Sequence, residues 1–490
     1  MSIIKKNFLY NLLLTVSTII FPIITFPYAS RVLGPIGIGK VQFVTSFAQY
    51  FVLISALGIP VYGIREVAKR RNDLLMLKKF FTEMIFLNVV TGVIFTLIYL
   101  AVIFSVPNLS KDKDFYLIAL MLITFNFSNI DWFFSGLERF KFIAVRSLVI
   151  KFLSVVLLFF IVKEQSDDVN FLWLTIGVTL ANNFWNIWTA RSYFHPGSLS
   201  YLDLKIHLRP LFYIFSTVAA FSIYGFLDTI ILGFLGNYED VGYYTAASKI
   251  NKITIPILIS LGTVLIPRIS QAFKNNDLDL VKYLAKQSFD FVILLGVPLV
   301  FGLIVLAPEL IIIFSGKNFA PATLTMQIFA PVILIMGLNN VWAIQILTPA
   351  GKDKLVTKAV VIGVIVSLLS NVLLIKYFSF NGAAFANVLA EFTVMCGFIY
   401  FANTLYKQKF DFNLLFKTIA ISLSFIPILI LIRRYFSQNN IVVCALGVFF
   451  CGIIYILSQI FIVKNENVIA QLAIAKNWLT GLGSSKGKRD

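Results

Sequence analysis

Among the ionisable residues inside or at the ends of long apolar stretches in this 490-residue chain, five stand out. Asp228 lies seven residues before Leu235, and Lys249 seven residues after Gly242. Lys252 is about one helical turn beyond Lys249 and shares its face. Arg31 closes the first apolar run, and Glu391 sits eight residues into a later one. A charge placed in hydrocarbon is expensive, so each of these needs a partner or a task. At the rise of a helix, Asp228 and Lys249 both lie ~10 Å inside their helix ends, where adjacent antiparallel helices let them meet. One reading is a structural salt bridge. The other is a cationic wall for an anionic substrate, built from Arg31, Lys249 and Lys252, with Asp228 as counter-ion or cation site. Three charges for one pair leave Lys252 over, which favours the wall. For Arg31 the alternative is snorkelling to the interface. Glu391, ~12 Å deep and without a near partner in the sequence, is a candidate proton or sodium site or else a hydrogen-bonding anchor.

A second set of bases lies in the connections. Asp131-Trp132-Phe133-Phe134-Ser135-Gly136-Leu137-Glu138 runs into Arg139, Phe140 and Lys141, with Arg146 close behind. Arg65 and Arg268 open two amphipathic connectors, 65–79 and 268–286. These bases suit positive-inside anchoring; the other reading places Arg65, Arg139, Lys141 and Arg268 with Arg31, Lys249 and Lys252 in a cationic substrate-binding cavity, where they attract anionic headgroups or diphosphates. Asp290 and Glu309 fall near helix boundaries and read as interfacial. His195 and His207 share a polar loop and read as solvated. Cys396, Cys444 and Cys451 lie in apolar runs without metal-ligand spacing and read as inert.

The elements that must position these groups are membrane helices. The chain is 59% hydrophobic and 13% charged, with mean hydropathy +0.88. Apolar runs recur from end to end, which a soluble protein could not bury. Fourteen spans are expected, at about 9–30, 41–64, 80–105, 115–135, 143–162, 170–190, 211–235, 243–267, 288–314, 322–348, 359–378, 383–405, 414–432 and 441–463. The first reads as an uncleaved helix rather than a signal peptide. With the N-terminus cytoplasmic, 30 of the 41 Lys and Arg residues fall on the cytoplasmic side and 9 on the other. That bias puts both termini in the cytoplasm. The net charge of +18 therefore reads as membrane topology and not as nucleic-acid binding.

The chain also repeats itself. Leu33-Gly34, Gly39, Leu57-Gly58, Arg65 and Asn72-Asp73-Leu74 with Lys78 return as Leu235-Gly236, Gly242, Leu261-Gly262, Arg268 and Asn276-Asp277-Leu278 with Lys282. Gly39 to Gly58 is 19 residues and Gly242 to Gly262 is 20; each Asp-to-Lys spacing is 5. Such a repeat predicts two lobes of like topology with something held between them. The expected division is 1–210 for the first lobe, 211–410 for the second, 411–463 for two extra helices and 464–490 for a tail. Pro22 and Pro27 interrupt the first span and make it a candidate bending element.

Arg31-Val32-Leu33-Gly34-Pro35 through Gly39 resembles the Wzx-type polysaccharide flippases of the multidrug/oligosaccharidyl-lipid/polysaccharide exporter superfamily. So do Gly63-Ile64-Arg65-Glu66-Val67-Ala68, the Asp131–Glu138 stretch, and Asp228-Thr229-Ile230-Ile231-Leu232-Gly233 before Gly242-Tyr243-Tyr244. Ser135 departs from the family, which often has glutamine there. The resemblance implies an all-α integral membrane fold: two pseudo-symmetric six-helix lobes, MATE-like, around a cationic cavity, plus two C-terminal helices. It implies flipping of an undecaprenyl-diphosphate-linked oligosaccharide across the cell inner (plasma) membrane for O-antigen or capsule, with polysaccharide polymerase machinery downstream. No phosphate-binding G-x-x-x-x-G-K-[ST] motif is present, so the expectation is no cofactor, with coupling to protons or sodium through Asp228 and Glu391. A lipid II flippase or a drug/cation antiporter is the alternative within the superfamily. A membrane glycan polymerase or ligase, an enzyme, is the alternative outside it. That alternative wants a large outer loop, and the longest expected, near 106–114, is short.

Overall fold

The computed structural model describes residues 3–194, 202–406, 412–436 and 439–463. In chain order the helices are α1 (Ile3–Ser55), α2 (Ile59–Arg70), α3 (Leu74–Ser105), α4 (Pro107–Ser110), α5 (Lys113–Thr124), α6 (Asp131–Gly136), α7 (Phe140–Ile161), α8 (Asp168–Ala190), α9 (Lys205–Leu235), α10 (Tyr238–Lys274), α11 (Leu278–Ser315), α12 (Ala322–Phe329), α13 (Pro331–Asn339), α14 (Asp353–Tyr406), α15 (Phe412–Ser422), α16 (Phe425–Phe436) and α17 (Asn440–Ser458). Among the described residues there is no strand. Among the described residues nine helices are long and apolar enough to cross a membrane, or ten when the bent α5–α6 pair is taken as one span.

Part of the difference from the expected fourteen spans is a matter of continuity. The first two expected spans run together as α1, broken only at Gly34, whose φ of 69° suits a residue without a Cβ. Two later spans merge as α14, broken at Ser379 with φ 47°. The 115–135 span is broken: α5 ends at Thr124, a 3-10 turn follows over Asn126–Ser128, and α6 leaves at 41° to α5. The 322–348 span is divided at Pro331 and ends in a π-helical turn, Asn340–Leu347. Helices interrupted inside a membrane need neighbours that satisfy the freed backbone. At the α5–α6 break Asn126 ties the chain to the end of α1, donating to the Val52 carbonyl at 3.2 Å and to Ser55 Oγ at 2.8 Å.

The most extensive packing in the molecule joins α1 to α10. They cross where glycines meet backbone: a Cβ on Gly39 would overlap the Tyr238 carbonyl, and one on Gly242 would overlap the Pro35 carbonyl. A large apolar core extends from this crossing, drawing Phe43, Phe47, Tyr99, Tyr116, Leu172, Leu232, Tyr244 and Phe329 from both halves of the chain. The last helices, α15 to α17, pack mainly on α11. Arg433 fastens α16 there, donating to both Glu309 carboxylate oxygens at 2.7 Å and to the Val305 carbonyl at 2.6 Å. Glu309, expected at the interface, is thus buried and paired; Asp290 is buried as well.

Candidate substrate path and ion sites

Lys249 reaches across the molecule. Its ammonium stands 4.3 Å from the centre of the Phe26 ring on α1, so a residue of the second half rests on an aromatic face of the first. Lys252 is exposed beside it, near enough for its charge to act on both Lys249 and Asp228.

The Asp228–Lys249 salt bridge, one of the two readings of these residues, is not formed. Asp228 is 4% exposed and accepts hydrogen bonds from Tyr244 Oη at 2.8 Å, Asn371 Nδ2 at 2.8 Å and Asn387 Nδ2 at 2.6 Å, with Ser367 Oγ at 3.5 Å. The reason is rotation along α10. Depth is matched, but Tyr244 and Lys249 are five residues apart, which separates them by ~140° around a helix. The face turned to Asp228 carries Tyr244, and Lys249 is turned toward α1. The carboxylate therefore sits in a neutral cage of amides and hydroxyls drawn from α10 and both segments of α14.

Glu391 is buried on the second segment of α14 and accepts from Asn339 Nδ2 on α13 at 3.0 Å. Asn387, which holds Asp228, precedes Glu391 by one helical turn. The structure thus sets the two candidate ion-binding carboxylates at neighbouring turns of α14, Glu391 on that helix and Asp228 bonded to it from α9, a proximity invisible in sequence positions 228 and 391.

Arg31 lies at the end of the molecule where α1 and α10 cross. It donates to Pro27 O at 2.9 Å and to the Ile313 carbonyl on α11, and so fastens the halves together there. The same end holds a cluster the sequence reading missed. Lys40 pairs with Asp112 at 2.6 Å and covers the Phe115 ring at 3.8 Å, while Tyr238 Oη donates to the other Asp112 oxygen at 2.9 Å.

The remaining four bases lie toward the other end. Arg65 is exposed, with Nε 3.4 Å from Glu66 and its guanidinium 5.7 Å from the Tyr62 ring. Arg139 is exposed and donates to Tyr193 Oη at 3.2 Å; Lys141 is exposed. Arg268 lines a separate cleft between the end of α10 and the start of α11. It is sixteen residues from Lys252, ~24 Å along the helix, so the structure does not gather these four around Lys249. In this region burial works against the Glu66 carboxylate, but hydrogen bonds from Arg70 and Lys69 prevail and hold it at about 2.

Three polar groups differ from expectation or were overlooked. Arg146, taken with the leaflet-facing bases, is 2% exposed and turned inward. It donates to Asp131 Oδ1 at 2.8 Å and Asn182 Oδ1 at 3.0 Å, and Asn186 completes the cluster from α8. His207, expected in a solvated loop, is buried: Nδ1 meets Tyr62 Oη at 2.8 Å and Nε2 meets Glu83 Oε2 at 3.0 Å. His195 lies outside the described residues. Lys151, a lysine inside the apolar run 143–162, is a further intramembrane-charge signal in the sequence. It donates to Ser17 Oγ at 2.9 Å with the Phe21 ring 5.8 Å away, so α1 is flanked by a lysine from each half of the chain. Among the described residues no His, Cys, Asp and Glu cluster is placed to hold a metal ion of the transition series.

A bundle of membrane helices, broken in places, with buried charges and cations at the seam of two halves, defines a polytopic membrane transporter. The chain belongs to the polysaccharide biosynthesis protein family, which matches residues 4–273; the MatE family matches residues 214–373. It is 26% identical over 394 residues to the "Putative O-antigen transporter" of Escherichia coli K12, covering 79% of this chain and 94% of that one. It is 24% identical over 234 residues to the "Probable low-salt glycan biosynthesis flippase Agl15" of Haloferax volcanii, covering 47% and 49%. The solved structure of lipid II flippase MurJ, in an inward closed conformation, superposes with a TM-score of 0.72 over 93% of this chain and 98% of that one, at 15% identity. The fold is that of the multidrug/oligosaccharidyl-lipid/polysaccharide exporter superfamily. The chain is a flippase-type transporter and not an enzyme.

Proposed function

We propose that the chain carries an undecaprenyl-diphosphate-linked oligosaccharide from the cytoplasmic to the outer leaflet of the inner membrane, for O-antigen or capsule synthesis. The observation that carries this reading is Lys249 resting on Phe26 between the halves, with Lys252 exposed beside it. A diphosphate and its sugars cannot cross hydrocarbon without replacement of their water. Two ammoniums at the seam of residues 1–210 and 211–410 supply the charge, and the prenyl chain stays in lipid. The N- and C-termini are cytoplasmic in this reading. The Arg31 and Lys40 contacts then close the outer end, and rocking of the two lobes opens it. Released lipid-linked glycan would pass to polymerase machinery.

Coupling to sodium or protons falls to the Asp228 cage and Glu391. Asn371 presents Nδ2 to Asp228 while its buried Oδ1 has no hydrogen-bond partner. Rotation of that amide would offer an oxygen to a sodium ion; a proton would need no rotation. A lipid II cargo is the second reading, favoured by a match to lipid II flippase MurJ of Bacillus subtilis at 29% identity over 155 residues.

The test is the Lys249→Ala, Lys252→Ala double variant. Surface glycan is lost and lipid-linked repeat units accumulate on the inner leaflet, with protein level unchanged. Normal surface glycan in that variant removes both lysines from the path. Rescue of a lipid II flippase deficiency by the wild-type chain would decide for the second reading.

A further inference from the structure

The internal repeat assigns a second binding site, away from the Lys249 path. An offset of 204 maps Asp73 to Asp277, Lys78 to Lys282, Lys79 to Tyr283 and Glu83 to Gln287. The geometry follows the offset. Lys79 and Glu83 pair across one turn at 3.8 Å, and Gln287 Nε2 donates to Tyr283 Oη across the equivalent turn at 2.8 Å. In the first half the groove beside this turn, between α2 and α3, is filled by the chain itself. Asp203 N donates to Glu83 Oε1 at 3.2 Å, His207 meets the other Glu83 oxygen, and the His207 ring lies 5.5 Å from Phe80.

In the second half the equivalent groove, between α10 and α11, is an open cleft of about 500 Å³. Its polar lining is Arg268, Gln271, Asn275, Asp277, Tyr283 and Gln287. Among the described residues the side chains of Arg268, Gln271 and Asn275 have no hydrogen-bond or ion-pair partner. The Asp277 carboxylate is engaged in capping α11 through Leu280 N at 3.0 Å. The carboxylate that receives His207 in the first groove is replaced here by the neutral amide of Gln287. The two grooves therefore differ in what they can hold: the first accepts a donor at Glu83, and the second offers the Arg268 guanidinium, without an ion-pair partner among the described residues, beside amide and hydroxyl groups and the capping Asp277 carboxylate. Its lip carries exposed Leu280 and Tyr283, in the first turns of α11. An anion with an apolar body fits such a place.

We propose that the cleft binds the phosphodiester headgroup of an anionic glycerophospholipid from the surrounding leaflet. Arg268 pairs with the phosphate, Gln271 and Asn275 hydrogen-bond the glycerol portion, and the acyl chains lie over the apolar lip.

The test uses the full chain, delipidated in neutral detergent, with native mass spectrometry counting retained short-chain phosphatidylglycerol, phosphatidylcholine or inorganic phosphate. Phosphatidylglycerol is retained in preference to phosphatidylcholine. Arg268→Ala weakens that retention about tenfold, the loss of one charge-assisted contact, and Arg268→Lys restores most of it. Gln287→Glu, which reinstates the acidic residue of the first groove, weakens it while leaving Arg268 and the fold in place. Equal retention of the two lipids, or unchanged retention in both Arg268→Ala and Gln287→Glu, overturns the proposal. So does displacement of phosphatidylglycerol by inorganic phosphate at equal concentration, which would mean a free-phosphate site.

Discussion

Gly39 and Gly242, matched positions of the internal repeat, face each other across the two halves of the chain: the site of a Cβ on Gly39 lies 2.7 Å from Gly242 N. The repeat therefore does more than duplicate a topology. It places a glycine on each side of one crossing, where the backbones come closer than any side chain permits. Around them, Lys40, Asp112 and Tyr238 add a polar clasp, and Arg31 adds another to α11.

A bulky residue at either glycine should hold this end open. In a background with Cys396, Cys444 and Cys451 replaced by serine, Gly242→Leu is expected to increase labelling of a cysteine placed at Tyr238 by a membrane-impermeant maleimide. Lys40→Ala should give a smaller increase, because it removes the clasp and leaves the glycine contact. Labelling that is the same in all three proteins would show that the crossing does not control access.

The Asp228 cage makes a different demand. Asp228→Asn exchanges a carboxylate for an amide facing two amide N–H groups, and one of those donors loses its acceptor. A stability loss of about 1–3 kcal/mol is expected from one unsatisfied buried group. The diagnostic effect is on the proposed coupling: if the cage carries the ion, a dependence of flipping on sodium or pH in the wild type is lost in the variant. An unaltered ion dependence would reduce Asp228 to a structural tie between α9, α10 and α14.

Glu66 gives a pH prediction outside the membrane spans. Its folded value, about 2, lies below the ordinary 4.5, so the unfolded chain binds its proton first as pH falls. The stability it contributes is complete above 4.5 and disappears between 4.5 and about 2. Glu66→Gln should be less stable than wild type at neutral pH and converge with it toward pH 2. Melting temperatures in detergent across that window check the sign; a constant difference would mean that Arg70 and Lys69 do not favour the ionised form.

Much of this architecture is legible in the chain. Long apolar runs specify membrane helices by hydropathy alone, and the paired glycines announce two related halves because only glycine fits such a crossing. What sequence distance conceals is rotation. Lys249 and Asp228 share a depth, yet ~140° of helix separates Lys249 from the Tyr244 face that meets Asp228. Arg146 lies among exposed bases in the sequence, but the 41° break between α5 and α6 brings Asp131 to it. His207 reads as loop because its partners, Tyr62 and Glu83, are more than a hundred residues away. Helix continuity is equally hidden: Gly34 and Ser379 turn the chain with single residues and leave no loop to count.

The Glu309–Arg433 pair tests how α15 to α17 are attached. Glu309 is nearly buried, and Arg433 supplies both its hydrogen bonds from α16. Removing one partner of a buried pair costs several kcal/mol, because the other charge keeps its desolvation penalty. Arg433 is one-third exposed, so solvent moderates the loss to about 2 kcal/mol. Arg433→Met should therefore lower the melting temperature, and adding Glu309→Leu should recover most of the loss by removing the stranded carboxylate. Cleavage at a protease site inserted between α14 and α15 should then release the C-terminal helices from Arg433→Met in mild detergent, but not from the double variant. Retention of the helices by Arg433→Met itself would mean that the apolar contacts of Leu306, Phe425 and Leu429, rather than the ion pair, hold them.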